Sequence, residues 1–271
     1  MLLPYEHTGN KKSNILLIFL HGFPDSMRLW DQTITGIQKQ DVQILNISYP
    51  NYHQSQNLKF GLDFPEVVKR IRSTIEHVDN GQNLKKLLIT HDWGAFYGYL
   101  YDQKYPQTVD DIIALDVGAQ VDLSLKPGLL IESYQITFAM AFLLTLIPIV
   151  GEFFGTLLAK LYMKFILRIP IPQNYTARIN YQYFYFQKNL LFNSIFNKSK
   201  KFLYRYKPSV PVVFIYGEKK PFHFHSARWQ LTLSQNADSE FIGAKTGHWI
   251  QVEQADLVIN KIIDRIARLK K

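Results

Sequence analysis

Lys85 to Gly98 reads KKLLITHDWGAFYG. Leu87, Leu88 and Ile89 form a short apolar run suited to a buried parallel strand, and Ala95, Phe96, Tyr97, Tyr99 and Leu100 then read as the opening of a helix. The turn between them is Thr90-His91-Asp92-Trp93-Gly94. A strand that turns this sharply into a helix pushes its apex side chain into a strained, exposed position and favours small residues beside it. Asp92 holds the apex and Gly94 lies two places after it. A carboxylate so presented can displace a leaving group from saturated carbon, giving an ester that water then cleaves. The plainer role for Asp92 is a helix N-cap, where its oxygens accept backbone N–H bonds and its charge suits the positive end of the helix dipole.

The flanking sequence supplies more strands of the same kind. Ile15 to Leu20 (ILLIFL) is an uninterrupted apolar run, as in strands covered on both faces, and it ends in His21-Gly22-Phe23-Pro24. Val42 to Ser48 and Asp111 to Val117 read as further strands, and Phe64 to Val78 has apolar residues at helical spacing opened by Pro65. Strands alternating with helices imply a parallel sheet wrapped on both faces. Ligands of such sheets bind at the carboxyl ends of the strands, where His21 to Pro24, Asp92 and Asp116 all fall. From about Asp122 to Lys207 the sequence turns helical, aromatic and apolar; Val210 to Tyr216 and Ser239 to Ala244 restore the strand pattern. Gln251 to Leu269 closes as an amphipathic helix. The expected organisation is an α/β core over residues 1–121 and 208–271, with an inserted helical cap over 122–207.

Composition narrows the function. Apolar residues at 47% suit a well-packed globular chain, and with no cysteine both disulfides and thiolate metal sites are excluded. The net charge of +9 is spread in small lysine clusters without an arginine-rich stretch, so nucleic acid is not an expected partner. The start MLLPYEHTGNKK carries a glutamate and lacks the long apolar core of a secretory signal, so an intracellular protein is expected. His223 and His225 have no carboxylate cluster to complete a ligand set, and no metal or cofactor is expected. His21 and His91 read as loop-holding residues.

The set HGFP at His21, HDWG at His91 and GHW at Gly247 resembles the α/β-hydrolase fold, and within it the epoxide hydrolases and haloalkane dehalogenases. That resemblance implies Asp92 as nucleophile, His248 as the base that activates water, and the backbone N–H groups of Phe23 and Trp93 as the oxyanion hole. For the acid that orients His248 it leaves two candidates, because Gly217-Glu218-Lys219-Lys220 puts a lysine where many members carry that carboxylate. Asp116, at the end of the strand after the elbow, comes first and Glu218 second. In the cap, Ser133-Tyr134-Gln135 resembles the segment that supplies one ring-opening tyrosine of epoxide hydrolases. The second such segment, Asn180 to Tyr183, departs from the pattern: Gln182 stands where the tyrosine belongs, leaving Tyr181 or Tyr183 to substitute.

Three functions stay in view. One is opening of an apolar epoxide to a diol through an Asp92 ester. Another is dehalogenation, with the Trp93 indole holding the halide, and the third is a non-catalytic hydrolase-fold subunit with a protein assembly partner. Ser133 to Gly151 carries no charge for nineteen residues, near a membrane span in length, but Pro148 and Gly151 break it. A cap over a small apolar substrate accounts for it, and the nearby Lys160, Lys164 and Arg168 leave room for peripheral membrane contact through the cap.

Overall fold

A computed structural model describes residues 1–53, 55–122, 125–195, 203 and 205–271. The apolar runs form β2 (Ile15–Leu20), β3 (Gln43–Ile47), β4 (Lys85–His91), β5 (Asp111–Leu115), β6 (Val212–Gly217) and β7 (Glu240–Ala244), preceded by β1 (Tyr5–Gly9). They lie in one sheet in the order β1-β3-β2-β4-β5-β6-β7. β1 runs antiparallel to β3 and every other neighbouring pair is parallel. The helices among the described residues are α1 (Asp31–Ile37), α2 (Phe64–Asp79), α3 (Trp93–Lys104), α4 (Leu125–Leu144), α5 (Gly151–Tyr162), α6 (Tyr181–Ile195), α7 (Ala227–Leu233), α8 (Ile250–Glu253) and α9 (Ala255–Leu269).

Strand alternation explains how both faces of the sheet are covered. Ile15, Leu17 and Phe19 of β2 point the same way as Leu87 and Ile89 of β4 and Val213 and Ile215 of β6. That face packs on Trp30, on Ile37 of α1 and on Val258, Ile262 and Ile266 of α9. The alternate residues face the other way: Thr90 and Leu88 approach Gly98 of α3, and Phe214 meets Trp229 of α7 edge-on at 6.1 Å. A sheet buried on both faces cannot alternate polar with apolar, which is why β2 is wholly buried along its length.

Two elements differ from the sequence expectation. β1 has no apolar run, and Glu6, Thr8 and Gly9 are exposed; backbone pairing to β3 makes it a strand. The C-terminal helix is broken at Gln254 (φ −137°, ψ 58°), separating α8 from α9. Glu253 just before the break accepts the Gly247 N–H through both carboxylate oxygens at 3.0 Å, tying α8 back to the loop that carries His248.

The chain forms two compact units, one of Met1–Ser48, Val68–Asp122 and Leu203–Lys271, the other of Tyr49–Val67 and Leu123–Phe202. In the second, α4, α5 and α6 pack around Phe138, Phe142, Tyr181 and Tyr183, and the segment after β3 joins them: Asn51 donates to the Arg178 carbonyl at 3.0 Å. A Cβ on Gly61 would run into the Tyr181 ring, so that ring rests directly on backbone.

Beneath the sheet of the first unit, Asp111 is fully buried and accepts from Arg265 (3.2 Å) and Arg268 (3.1 Å) of α9. Burial pushes the Asp111 carboxyl up to about 6 although both arginines pull it down. Arg265→Met removes the better buried partner and raises that carboxyl further. Breaking a buried pair from one side costs about 3–5 kcal/mol, and Arg268 keeps this loss near the lower figure. A carboxyl whose folded pKa lies above its unfolded value destabilises the fold increasingly as pH rises between the two. Urea midpoints should therefore show a larger deficit for the variant at pH 8 than at pH 5.

Candidate active site

Asp92 sits between β4 and α3 with φ 52° and ψ −119°, a left-handed conformation that costs a non-glycine residue about 1–3 kcal/mol. The turn is held from both sides. A Cβ on Gly94 would strike the Leu20 carbonyl, and one on Gly22 would lie 2.5 Å from the Asp92 Cβ, so both positions need glycine for close approach. Asp92 precedes α3, yet its side chain makes no N-cap bond. Its Oδ2 instead accepts the Phe23 N–H at 2.7 Å, and the Trp93 N–H also donates to the carboxylate. Burial pushes the Asp92 carboxyl above the usual range, against the opposing pull of His248 and these two donors. The two N–H groups named from sequence thus converge on one carboxylate.

His248, in the loop after β7, completes the arrangement. Its Nδ1 lies 2.5 Å from Asp116 Oδ2 and its Nε2 lies 4.0 Å from Asp92 Oδ1. Of the two candidate acids, Asp116 is the one brought to His248; Glu218 is exposed, and its backbone N–H pairs with the Ala244 carbonyl. With Nδ1–H given to Asp116, the Nε2 lone pair faces Asp92. Burial disfavours the imidazolium, but Asp116 and then Asp92 outweigh it, and the His248 pKa stands above its ordinary value.

Lys220 joins the same cluster. It stands where a carboxylate is expected, and in the structure its Nζ contacts both oxygens of Asp116 at 2.5 Å and lies 4.8 Å from the centre of the Phe224 ring. Asp116 is fully buried, also at positive φ (71°), and accepts the Gly217 N–H at 3.0 Å. Burial alone would raise its carboxyl; His248 and Lys220 hold it well below the carboxylate range. Burial in turn lowers the Lys220 ammonium, with Asp116 working against that shift. Adjacent strands explain the meeting: β5 and β6 pair in parallel, so residues just past their carboxyl ends lie side by side although 104 positions separate them. A second residue that the motifs did not announce is Asp25, directly after HGFP. It accepts from the Trp249 indole at 2.9 Å, and burial pushes its carboxyl up to about 6.

The remaining residues sort by their contacts. His91 donates its Nε2–H to the His248 carbonyl at 3.0 Å, and burial keeps its pKa well below the ordinary value, as a loop-holding imidazole requires. His223 and His225 stack at 5.2 Å beside Tyr216 of β6, and both are half-buried. No cluster of three or more metal-ligating side chains occurs among the described residues. In the second unit the Tyr134 and Tyr183 rings meet edge-on at 6.0 Å, whereas Tyr181 lies between Gly61 and Phe142. Gln182 is fully buried and donates to the Tyr52 hydroxyl at 2.8 Å.

This architecture, with an elbow aspartate gripped by two backbone donors, is accompanied by similarity in sequence. The model of the α/β-hydrolase-fold family matches residues 15–255, and the chain belongs to that family. It is similar to the abhydrolase domain-containing protein abhd-5.2 of Caenorhabditis elegans, at 24% identity over 93% of this chain and 59% of that protein. It is also similar to epoxide hydrolase 1 of Caenorhabditis elegans, at 25% identity over 42% of this chain and 28% of that protein. The chain therefore spans less than two thirds of the length of these relatives. Solved structures with the same fold include epoxide hydrolase A of Mycobacterium thermoresistibile, with a TM-score of 0.65 at 17% identity, covering 96% of this chain and 93% of that one. A haloalkane dehalogenase loop variant, DbeA-M1 of Bradyrhizobium elkanii, gives a TM-score of 0.66 at 14% identity, covering 98% and 93%.

The contacts of Lys220 predict a titration that needs no substrate. His248 faces Asp116, Asp92, Lys220, His91 and Asp25. Removing the cation in Lys220→Met takes away a charge that opposes the imidazolium, so the His248 midpoint rises. Asp116→Asn removes the main charge supporting it, and the midpoint falls. Side-chain 15N NMR of the two imidazole nitrogens against pH checks both directions. A group whose folded pKa is raised stabilises the fold below its unfolded value of about 6.5 and loses that contribution as pH rises through the folded value. Lys220→Met should extend the window to higher pH.

Proposed function

We propose that this chain is a hydrolase that opens an apolar epoxide to a diol through an ester on Asp92. The observation that carries the reading is the grip of the Phe23 and Trp93 N–H groups on the Asp92 carboxylate, with His248 Nε2 4.0 Å from its other oxygen. In the first step Asp92 Oδ1 attacks a ring carbon, the carbon–oxygen bond of the epoxide breaks, and the departing oxygen takes a proton from a tyrosine hydroxyl. Tyr134 is the donor by resemblance, with Tyr181 or Tyr183 as its companion, and of those two Tyr183 is the one whose ring meets that of Tyr134 edge-on. In the second step His248 Nε2 takes a proton from water, whose oxygen attacks Cγ of the Asp92 ester. The negative charge then gathers on the oxygen facing the two N–H donors, which were oriented before the reaction and cost nothing to reorganise. On collapse the bond to the alkyl oxygen breaks and that oxygen takes the proton back from His248, leaving as the diol. The remaining proton of the attacking water passes to the tyrosinate, which restores both the tyrosine and the Asp92 carboxylate, and Asp116 keeps His248 in the tautomer that both of its proton transfers need.

The sequence similarity to an epoxide hydrolase supports this reading. One observation favours a second: the acid on His248 is Asp116, at the end of the strand after the elbow, the position where the resemblance to haloalkane dehalogenases places it. In that case the same Asp92 attack expels a halide.

Intact-protein mass separates the readings. His248→Ala incubated with apolar epoxides and haloalkanes should accumulate an ester, since the variant lacks the base for the second step. Whole-epoxide mass added to Asp92 means epoxide opening; alkyl mass without the halogen means dehalogenation. Asp92→Ala should show neither, and turnover by His248→Ala should fall by about 10³-fold or more. No adduct from either substrate class would sink the ester mechanism and leave a non-catalytic role.

A further inference from the structure

The second unit has its apolar surface arranged against the ordinary order. Ile136, Met140, Leu143 and Ile147 recur at helical spacing along α4 and the turn that follows, and all four are exposed. Phe154, Leu157 and Leu161 of α5 and Phe165 just beyond it form a second exposed stripe. Ile149, between the two helices, is 100% exposed, and Phe153 in the first turn of α5 is 66% exposed. The residues packed inward between α4 and α5 are small by contrast. A Cβ on Gly155 would run into the Ala141 carbonyl and one on Gly151 into that of Leu144, while Ala141 and Ala159 are fully buried. Small residues inside with large apolar ones outside is the packing of helices whose surroundings are themselves apolar. Water disfavours an apolar surface of this extent, and such patches mark interaction sites.

Charge selects the partner. From Ser133 to Leu167 the sequence holds one acid, Glu152, and that carboxylate is neutralised by Arg178 at 2.8 Å. Lys160 and Lys164 lie in the same stretch and Arg168 follows it; Lys164 and Arg168 are exposed, and Lys164 lies 5.3 Å from the centre of the Phe165 ring. Basic side chains bordering an apolar face are what an anionic lipid headgroup layer attracts. The α4 helix is long and apolar enough to cross a membrane, but Phe138 and Phe142 on its other side are fully buried against Tyr183 and Phe184. A spanning helix needs apolar surroundings all round; this one has one face to give.

We propose that the α4–α5 hairpin is a membrane-docking surface that lies in the interface of an anionic phospholipid bilayer, with Ile149, Phe153 and Phe165 inserted among the acyl chains and Lys160, Lys164 and Arg168 at the headgroups. This assignment is independent of the chemistry at Asp92.

Flotation with vesicles tests it on the full chain. Wild-type protein should float with vesicles of phosphatidylcholine containing phosphatidylserine, and less with phosphatidylcholine alone. The Ile149→Asp, Phe153→Asp, Phe165→Asp variant should bind at least tenfold more weakly while keeping the wild-type melting temperature, since all three side chains are exposed. Lys164→Glu should weaken binding to the anionic vesicles by about fivefold or more and leave binding to neutral ones unchanged. Failure of the wild type to float, or equal flotation of the triple variant, overturns the proposal. A wild type that dimerises in sedimentation, with the triple variant monomeric and neither binding vesicles, assigns the face to a second copy of the chain and overturns it too.

Discussion

The strained backbone at Asp92 is the constraint on which the candidate site rests. A left-handed aspartate is unstable in isolation and persists because β4 is buried on both faces and because glycine at 22 and 94 lets neighbouring backbone come close. The strain has a geometric return. It directs the carboxylate to the N–H of Trp93, the first residue of α3, and across to that of Phe23 after β2, and the side chain makes no N-cap bond further into the helix. In the proposed ester mechanism, the donors that hold the resting carboxylate face the oxygen that becomes negative on hydrolysis.

A second strained residue, Asp116, organises the groups behind His248. Its carboxylate accepts from His248, from the Gly217 backbone and from Lys220, so all of its partners are hydrogen-bond donors and the buried charge is fully satisfied. Lysine at the end of β6 is thus consistent with an ordered site. It takes the side of Asp116 that a single imidazole leaves uncompensated, and Phe224 covers its ammonium. The pair also limits how basic His248 becomes, because each charge beside Asp116 dilutes the pull of the other.

Much of the fold was legible because parallel strands buried on both faces leave uninterrupted apolar runs, as in Ile15 to Leu20. β1 was not, since its residues are half exposed and its strand character comes from hydrogen bonds to β3. The break at Gln254 was hidden as well, because helical spacing continues across it. At the site, Asp92, His248 and the Phe23 and Trp93 donors could be named from three short motifs through the resemblance they carry, although the Phe23–Asp92 contact spans 69 positions and the His248–Asp116 contact 132. The choice between Asp116 and Glu218 could be ranked, with Asp116 first, but not decided. It depends on which strand end approaches the loop after β7, and the partnership of Lys220 with Asp116 depends on β5 lying against β6. Tyr181 and Tyr183, two positions apart, were likewise separable only once the helix fixed which ring met Tyr134.

Lys220 also sets the charge balance of the cluster it forms with Asp92, Asp116 and His248. With His248 neutral, the Asp92 and Asp116 carboxylates and the Lys220 ammonium sum to one negative charge (−1 −1 +1), and a proton on His248 brings the group to zero. A carboxylate in place of the lysine would leave the site at minus three before the proton and minus two after it. Fields of that size reach well beyond a cleft and sort ligands by charge before they touch anything. A cluster that passes between minus one and zero exerts a much weaker pull of that kind.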